Sequence, residues 1–88
     1  MKESDLINLG FKKIKEYDPI DLEHPEWHYY ELCIGDLDIY SCSDNIANEN
    51  ESWHVMFEIH DCSYLIDELK MLQDLINILQ SSCLNKIL

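Results

Sequence analysis

Arginine is absent from this chain. Its six basic residues are all lysines, set against eighteen aspartates and glutamates for a formal net charge of −12. Without arginine there is no planar fork to grip a phosphate or a guanine edge in bidentate fashion. The carboxylate excess repels polyanions and attracts basic surfaces, over a range that salt shortens. Direct nucleic-acid binding is therefore not expected.

Glycine and proline are nearly absent too, with two of each. Few tight turns are available, so most of the chain must be regular structure. No glycine-rich phosphate loop, dinucleotide fingerprint or nucleophile elbow can be assembled. No apolar run approaches the ~18 residues of a membrane span, so no membrane partner is expected. The opening Met1-Lys2-Glu3-Ser4-Asp5 lacks the apolar stretch of a secretory signal, which leads to an expectation of cytosolic residence. Cys33, Cys42, Cys62 and Cys83 form no CxxC pair, and in a reducing compartment they read as four free thiols.

What is present is ordinary in amount and unusual in distribution. An apolar fraction of 47% over 88 residues suits one domain, 1–88, with a single modest core. Burial on that scale only narrowly offsets chain ordering, so stability should be marginal and should rise with salt. Of the eighteen acids, all but Glu3, Asp5 and Asp74 lie between Glu16 and Leu69, a stretch with no lysine. Lysines sit only at 2, 12, 13, 15, 70 and 86.

Along the chain, Ser4 offers an N-cap for a short helix over Asp5–Leu9, with Gly10 as its left-handed end and Phe11 folding back as a lid. Lys12–Tyr17 alternates weakly as a strand, and residues 18–26, holding both prolines, read as a loop. Trp27–Ile34 and Leu37–Ser43 are strand-like runs flanking Gly35-Asp36, the pair suited to a two-residue hairpin. That turn sets Ile34 opposite Leu37, Leu32 opposite Ile39 and Tyr30 opposite Ser41 on an apolar side. Cys33 then faces Asp38, Glu31 faces Tyr40 and Tyr29 faces Cys42 on the other.

Residues 44–52 are polar and read as a loop. Trp53, Val55, Phe57 and Ile59 alternate with His54, Met56, Glu58 and His60, the pattern of a half-buried strand. From Ser63 to Ser81 the period becomes helical, with Leu65, Leu69, Leu72, Leu75, Ile76, Leu79 and Cys83 in one stripe and Asp61 or Ser63 as its cap. The expected fold is α+β: a short N-terminal helix, an antiparallel meander of about four strands, and a C-terminal helix packed on one sheet face.

Chemistry finds little to work with. His24, His28, His54 and His60 are dispersed, and His60-Asp61-Cys62 lacks the second ligand pair a zinc site needs, so no metal or cofactor is expected. Cys33 and Cys42, read as outward-facing, have carboxylate neighbours that raise a thiol pKa, the wrong direction for a nucleophile. No catalytic residue is assigned, and an enzyme is not expected. The polar sheet face is a better candidate for binding. It collects Tyr29, Tyr40, Met56 and His54 among Glu31, Asp38 and Glu58, with Asp36 at its turn, and tyrosine and methionine are enriched in interface cores. Glu16/Asp18, Asp21/Glu23, Asp36/Asp38 and Glu49/Glu51 are i, i+2 pairs. In extended chain their Cα atoms lie roughly 6.5–7 Å apart, near the phosphate spacing of one DNA strand, which admits nucleic-acid mimicry.

Asp5-Leu6-Ile7-Asn8-Leu9-Gly10-Phe11, Trp27-His28-Tyr29-Tyr30-Glu31-Leu32, the Trp53-led strand and Ile66-Asp67-Glu68-Leu69-Lys70-Met71-Leu72 together make the chain resemble short acidic phage and prophage proteins of uncharacterised function. The likeness follows the order of elements along most of the chain and carries no chemically specific motif. It implies a mobile-element origin, and such proteins include inhibitors of host defence nucleases, anti-CRISPR proteins among them. No functional residue transfers from it. The expectation is a non-enzymatic inhibitor that docks its acidic surface, centred on Tyr29, Glu31, Asp36, Asp38, Tyr40, His54, Met56, Glu58, Glu49 and Glu51, on a basic nucleic-acid-handling protein such as an RNA-guided nuclease. The alternative is a homodimerising or scaffold module using Met71, Ile78, Leu84, Ile87 and Leu88 on the C-terminal helix.

Overall fold

Five antiparallel strands follow one another in a meander, β1 (Lys12–Tyr17), β2 (Glu26–Ile34), β3 (Leu37–Ser41), β4 (Val55–Ile59) and β5 (Cys62–Ile66). Among the described residues three helices flank them: α1 (Glu3–Asn8), α2 (Asp44–Asn50) and α3 (Leu69–Ile87). This computed structural model describes residues 1–20, 22–23 and 25–87, and the side chains only as far as residue 81. Asp21, His24 and Leu88, and the side chains of Cys83, Leu84 and Ile87, lie outside the described residues. The architecture is the α+β meander expected from the sequence, with a fifth strand added.

The first helix starts two residues earlier than its cap chemistry suggested. Lys2, not Ser4, is the N-cap, because its backbone N–H donates to Asp5 Oδ2 at 2.9 Å. The other end follows the sequence reading. Gly10 has φ +94°, and the Gly10 and Phe11 N–H groups donate to the carbonyls of Ile7 and Leu6, which closes a Schellman motif and turns Phe11 into the core.

The β2–β3 register is the one Gly35-Asp36 dictates, running from Ile34↔Leu37 to Glu31↔Tyr40. Gly35 takes φ +61° and Asp36 does not, so only the first turn position needs the freedom of glycine. Beyond Tyr40 the ladder to β2 stops. The Tyr30 N–H donates instead to Ser41 Oγ at 2.8 Å, and that hydroxyl donates onward to the Cys42 carbonyl. Ser41 thereby frees β3 to continue its pairing with β4, opposite Val55.

Two expectations fail. Residues 44–50 form a helix and not a loop: Ser43 Oγ accepts the Ile46 N–H, Ala47 is buried beneath it, and Glu51 ends it in left-handed conformation at φ +56°. The C-terminal helix does not begin near Ser63 either. His60 and Asp61, at φ +51° and +64°, make a two-residue reverse turn, and Cys62–Ile66 runs back along β4. Asp61 and Ser63 are therefore turn and strand residues, and Leu65 is 58% exposed instead of sharing a stripe with Leu72.

Strand alternation divides the sheet. The inner face carries Tyr30, Ile34, Ile39, Val55, Phe57 and Ile66, which meet Leu6 and Phe11 from the N-terminal segment and Leu72 and Ile76 from α3 in one buried cluster. Helix α3 thus covers the inner face and leaves the outer face open.

Candidate functional site

The outer face owes its composition to register. Glu16 lies directly opposite Trp27, Ile14 opposite Tyr29, Glu31 opposite Tyr40, Tyr40 opposite Met56, and Met56 opposite Leu65. Directly opposed residues on one face have Cβ atoms about 4.5–5.5 Å apart, so these pairs are neighbours. Two of the aromatics, Trp27 and Tyr40, each have a carboxylate as cross-strand partner.

Together they make a shallow groove of about 640 Å³. Its walls are Trp27, Tyr29, Tyr40 and Met56, all half-buried, and its charged lining is Glu16, Glu31 and Asp38. Ser41, Cys42 and the start of α2, through Ser43, Asn45 and the exposed Ile46, close one end. No lysine lines it among the described residues, and the nearest by register is Lys12, opposite Glu31 on the same face. The rings of Trp27 and Tyr29 lie 5.8 Å apart at 31° and support one another. Toward the opposite face, Lys13 and Lys15 line a smaller concavity of about 450 Å³ with Glu16, Tyr17, Glu26, Trp27, His28 and Asp44.

Five of the ten sequence-predicted binding residues converge on this groove: Tyr29, Glu31, Asp38, Tyr40 and Met56. The others do not line it. Asp36 sits in the β2–β3 turn, His54 precedes β4, and Glu58 is farther along β4 opposite Ser63. Glu49 is an exposed residue of α2, and Glu51 lines a separate hollow with Met1, Glu3 and Trp53. Because Glu49 and Glu51 belong to a helix and its left-handed end, the extended-chain spacing invoked for mimicry does not apply to them.

Sequence reading missed Glu16, Trp27, Ser41, Cys42, Ser43, Asn45 and Ile46. Trp27 was findable, since it alternates in phase with Tyr29 and Glu31. Glu16 depends on how β1 pairs, which no local signal sets, and the remaining members depend on the end of β3 and on α2. Cys42, expected to face outward, is buried at 2% exposure beneath the end of the groove.

At the far end of the same face, Glu31, Cys33 and Asp38 bring their side-chain donor atoms within 4.8 Å of one another. The Cys33 thiol lies 3.5 Å from Glu31 Oε1 as donor. Its pKa is pushed up to about 11, first by hydrogen bonding to Asp38, then by desolvation and by Glu31. A thiol held protonated is a poor nucleophile.

A second polar cluster ties the helices to the sheet. Glu3 Oε2 accepts from the Tyr30 hydroxyl at 2.6 Å and lies 2.8 Å from His28 Nε2. The other His28 nitrogen is 3.4 Å from Asp44 Oδ2, and the His28 backbone N–H donates to Asp44 Oδ1 at 3.0 Å. The His28 ring also lies 5.8 Å from that of Trp53, tilted by 32°. Because its two nitrogens are engaged by acids on opposite sides, this histidine clamps α1 and α2 to β2 and offers no shared ligand site. Hydrogen bonds from Tyr30 and then His28 hold the Glu3 carboxyl below its usual range. Burial, followed by the Glu3 bond, raises the Tyr30 hydroxyl to about 12.

No helix among the described residues is long and apolar enough to cross a membrane. No known protein family, curated protein or solved structure matches the chain.

Proposed function

We propose that this protein is a non-enzymatic binding module whose outer sheet face docks on a basic, nucleic-acid-handling protein in the cytosol and inhibits it by covering its lysines and arginines. The observation that carries the reading is the groove itself: preformed aromatic walls, three carboxylates and no lysine, in a chain of net charge −12. Interface cores are rich in tyrosine, tryptophan and methionine, and charge complementarity sets encounter rate and partner choice. Half-burial of the aromatics means little side-chain entropy is left to lose on docking.

The test is calorimetric titration against purified basic nucleic-acid-binding proteins, RNA-guided nucleases first, at low and high salt. Affinity should fall steeply with salt. Replacing Glu31, Asp36 and Asp38 together by lysine should abolish it while the circular dichroism spectrum is preserved. Salt-independent binding, or unchanged affinity in the triple variant, defeats the reading.

A second reading is favoured by two exposed apolar residues of α3, Met71 and Ile78, at 53% and 64% exposure. They point to a homodimer or scaffold contact through that helix. Sedimentation at high concentration separates the two, since this second reading requires association that Ile78→Ser weakens.

A further inference from the structure

We infer that the outer-face groove is a guanidinium site, which takes arginine side chains of the docked partner flat against Trp27, Tyr29 and Tyr40 while Glu16 and Glu31 accept their N–H groups. This rests on the docking reading above and names the chemical group that anchors it. The placement of acids relative to rings carries the inference. Glu16 stands directly across the strand pair from Trp27, and Glu31, which has Lys12 on its other side, stands directly across from Tyr40, so two rings each have a carboxylate as cross-strand neighbour. Tyr29 lies between them on β2, its ring 5.8 Å from that of Trp27. Asp38 supplies a third carboxylate to the same lining.

An organic cation is the group this arrangement recognises. A ring face attracts positive charge, and a carboxylate at the ring edge supplies the acceptor. Among biological cations the guanidinium fits best. It is planar, weakly hydrated and stacks on aromatic faces while its in-plane N–H groups reach carboxylates in fork geometry. An ammonium is compact, strongly hydrated and directs its donors in no plane. Anions are excluded by the same lining. A neutral apolar ligand would leave three carboxylates facing it without compensation.

The experiment uses the full chain and three short peptides identical except that glycine alternates with arginine, lysine or citrulline. Citrulline keeps the shape of arginine and removes its charge. Binding is followed by the ring proton resonances of Tyr29 and Tyr40 and by Trp27 fluorescence, with Trp53→Phe removing the other tryptophan signal. The arginine peptide should bind about two- to fivefold more tightly than the lysine peptide, the advantage of stacking at a partly exposed site. The citrulline peptide should leave the spectra unchanged. Glu16→Gln with Glu31→Gln should lower arginine-peptide affinity, and Trp27→Leu should erase the preference for arginine over lysine. Far-UV circular dichroism and the melting midpoint verify that each variant is folded, and Tyr40→Leu replaces Trp27→Leu if the latter melts.

Equal affinity for arginine and lysine peptides overturns the assignment, as does arginine binding that shifts neither tyrosine. The two proposals fail differently. If a basic protein docks in a manner sensitive to Glu31 while the arginine peptide is silent, the guanidinium site is wrong and the docking face stands. If the peptide binds in the groove but no basic protein responds to groove variants, the docking reading is the one that falls.

Discussion

The Tyr30 hydroxyl donates to Glu3 Oε2 at 2.6 Å, joining the centre of the sheet to the first helix across 27 positions of sequence. The same carboxylate oxygen lies 2.8 Å from His28 Nε2, so one acid secures two rings of β2. Tyr30→Phe removes the bond with little change of shape. It should cost about 1.5–3 kcal/mol, the range for hydrogen bonds to charged groups. Glu3→Ala combined with Tyr30→Phe should show a non-additive pair energy in urea melts, since each change deletes the same hydrogen bond.

That bond also sets an acid limb. Glu3 is held below its ordinary pKa of 4.5 in the folded chain, so it contributes stability above that value and loses it as pH falls through the folded value. Denaturant midpoints measured from neutral pH downward should therefore decline below about pH 4.5, and Glu3→Gln should flatten part of the decline.

An alkaline limb belongs to Tyr30. Its folded pKa of about 12 lies above the ordinary 10, so the stabilisation is complete below 10 and is lost as pH rises from there through 12. Ultraviolet titration of tyrosinate absorbance should show a late phase near pH 12 that Tyr30→Phe abolishes.

Helix α2 has one favourable end and one strained end. Ser43→Ala removes the N-cap bond to Ile46 and should destabilise the protein by about 1 kcal/mol in thermal melts. Glu51 places a β-carbon in left-handed backbone and a negative charge at a helix C-terminus, both unfavourable. Glu51→Gly should therefore stabilise by about 1 kcal/mol.

Leu65 and Leu72 separate the sequence expectation from the structure. A helix from Ser63 would bury both, whereas only Leu72 is buried and Leu65 is 58% exposed. Leu72→Ala should cost about 2–5 kcal/mol, and Leu65→Ser on the open face less than about 1 kcal/mol. Equal losses from the two would contradict the strand assignment of Cys62–Ile66.

The sequence alone determined those features whose causes are local. Gly10 followed by Phe11 ends α1, because only a residue free at positive φ permits the Schellman closure. Gly35-Asp36 sets the β2–β3 register, and a two-residue turn leaves that register no freedom. The alternation from Trp27 to Ile34 sorted Tyr29 and Glu31 onto one face and Tyr30 onto the other without reference to any other strand. Tertiary structure decided the rest. Residues 62–66 carry apolar side chains compatible with both helical and strand periods, and hydrogen bonding to β4 selects the strand. Residues 44–50 are polar enough to read as a loop, and become a helix because Ser43 caps them and Ala47 finds cover beneath. The groove is the extreme case. Glu16 and Trp27 meet only because β1 pairs with β2 in one register, and its far wall requires β3, β4 and α2 as well. No window of sequence contains these contacts, since each is made by backbone pairing between distant segments.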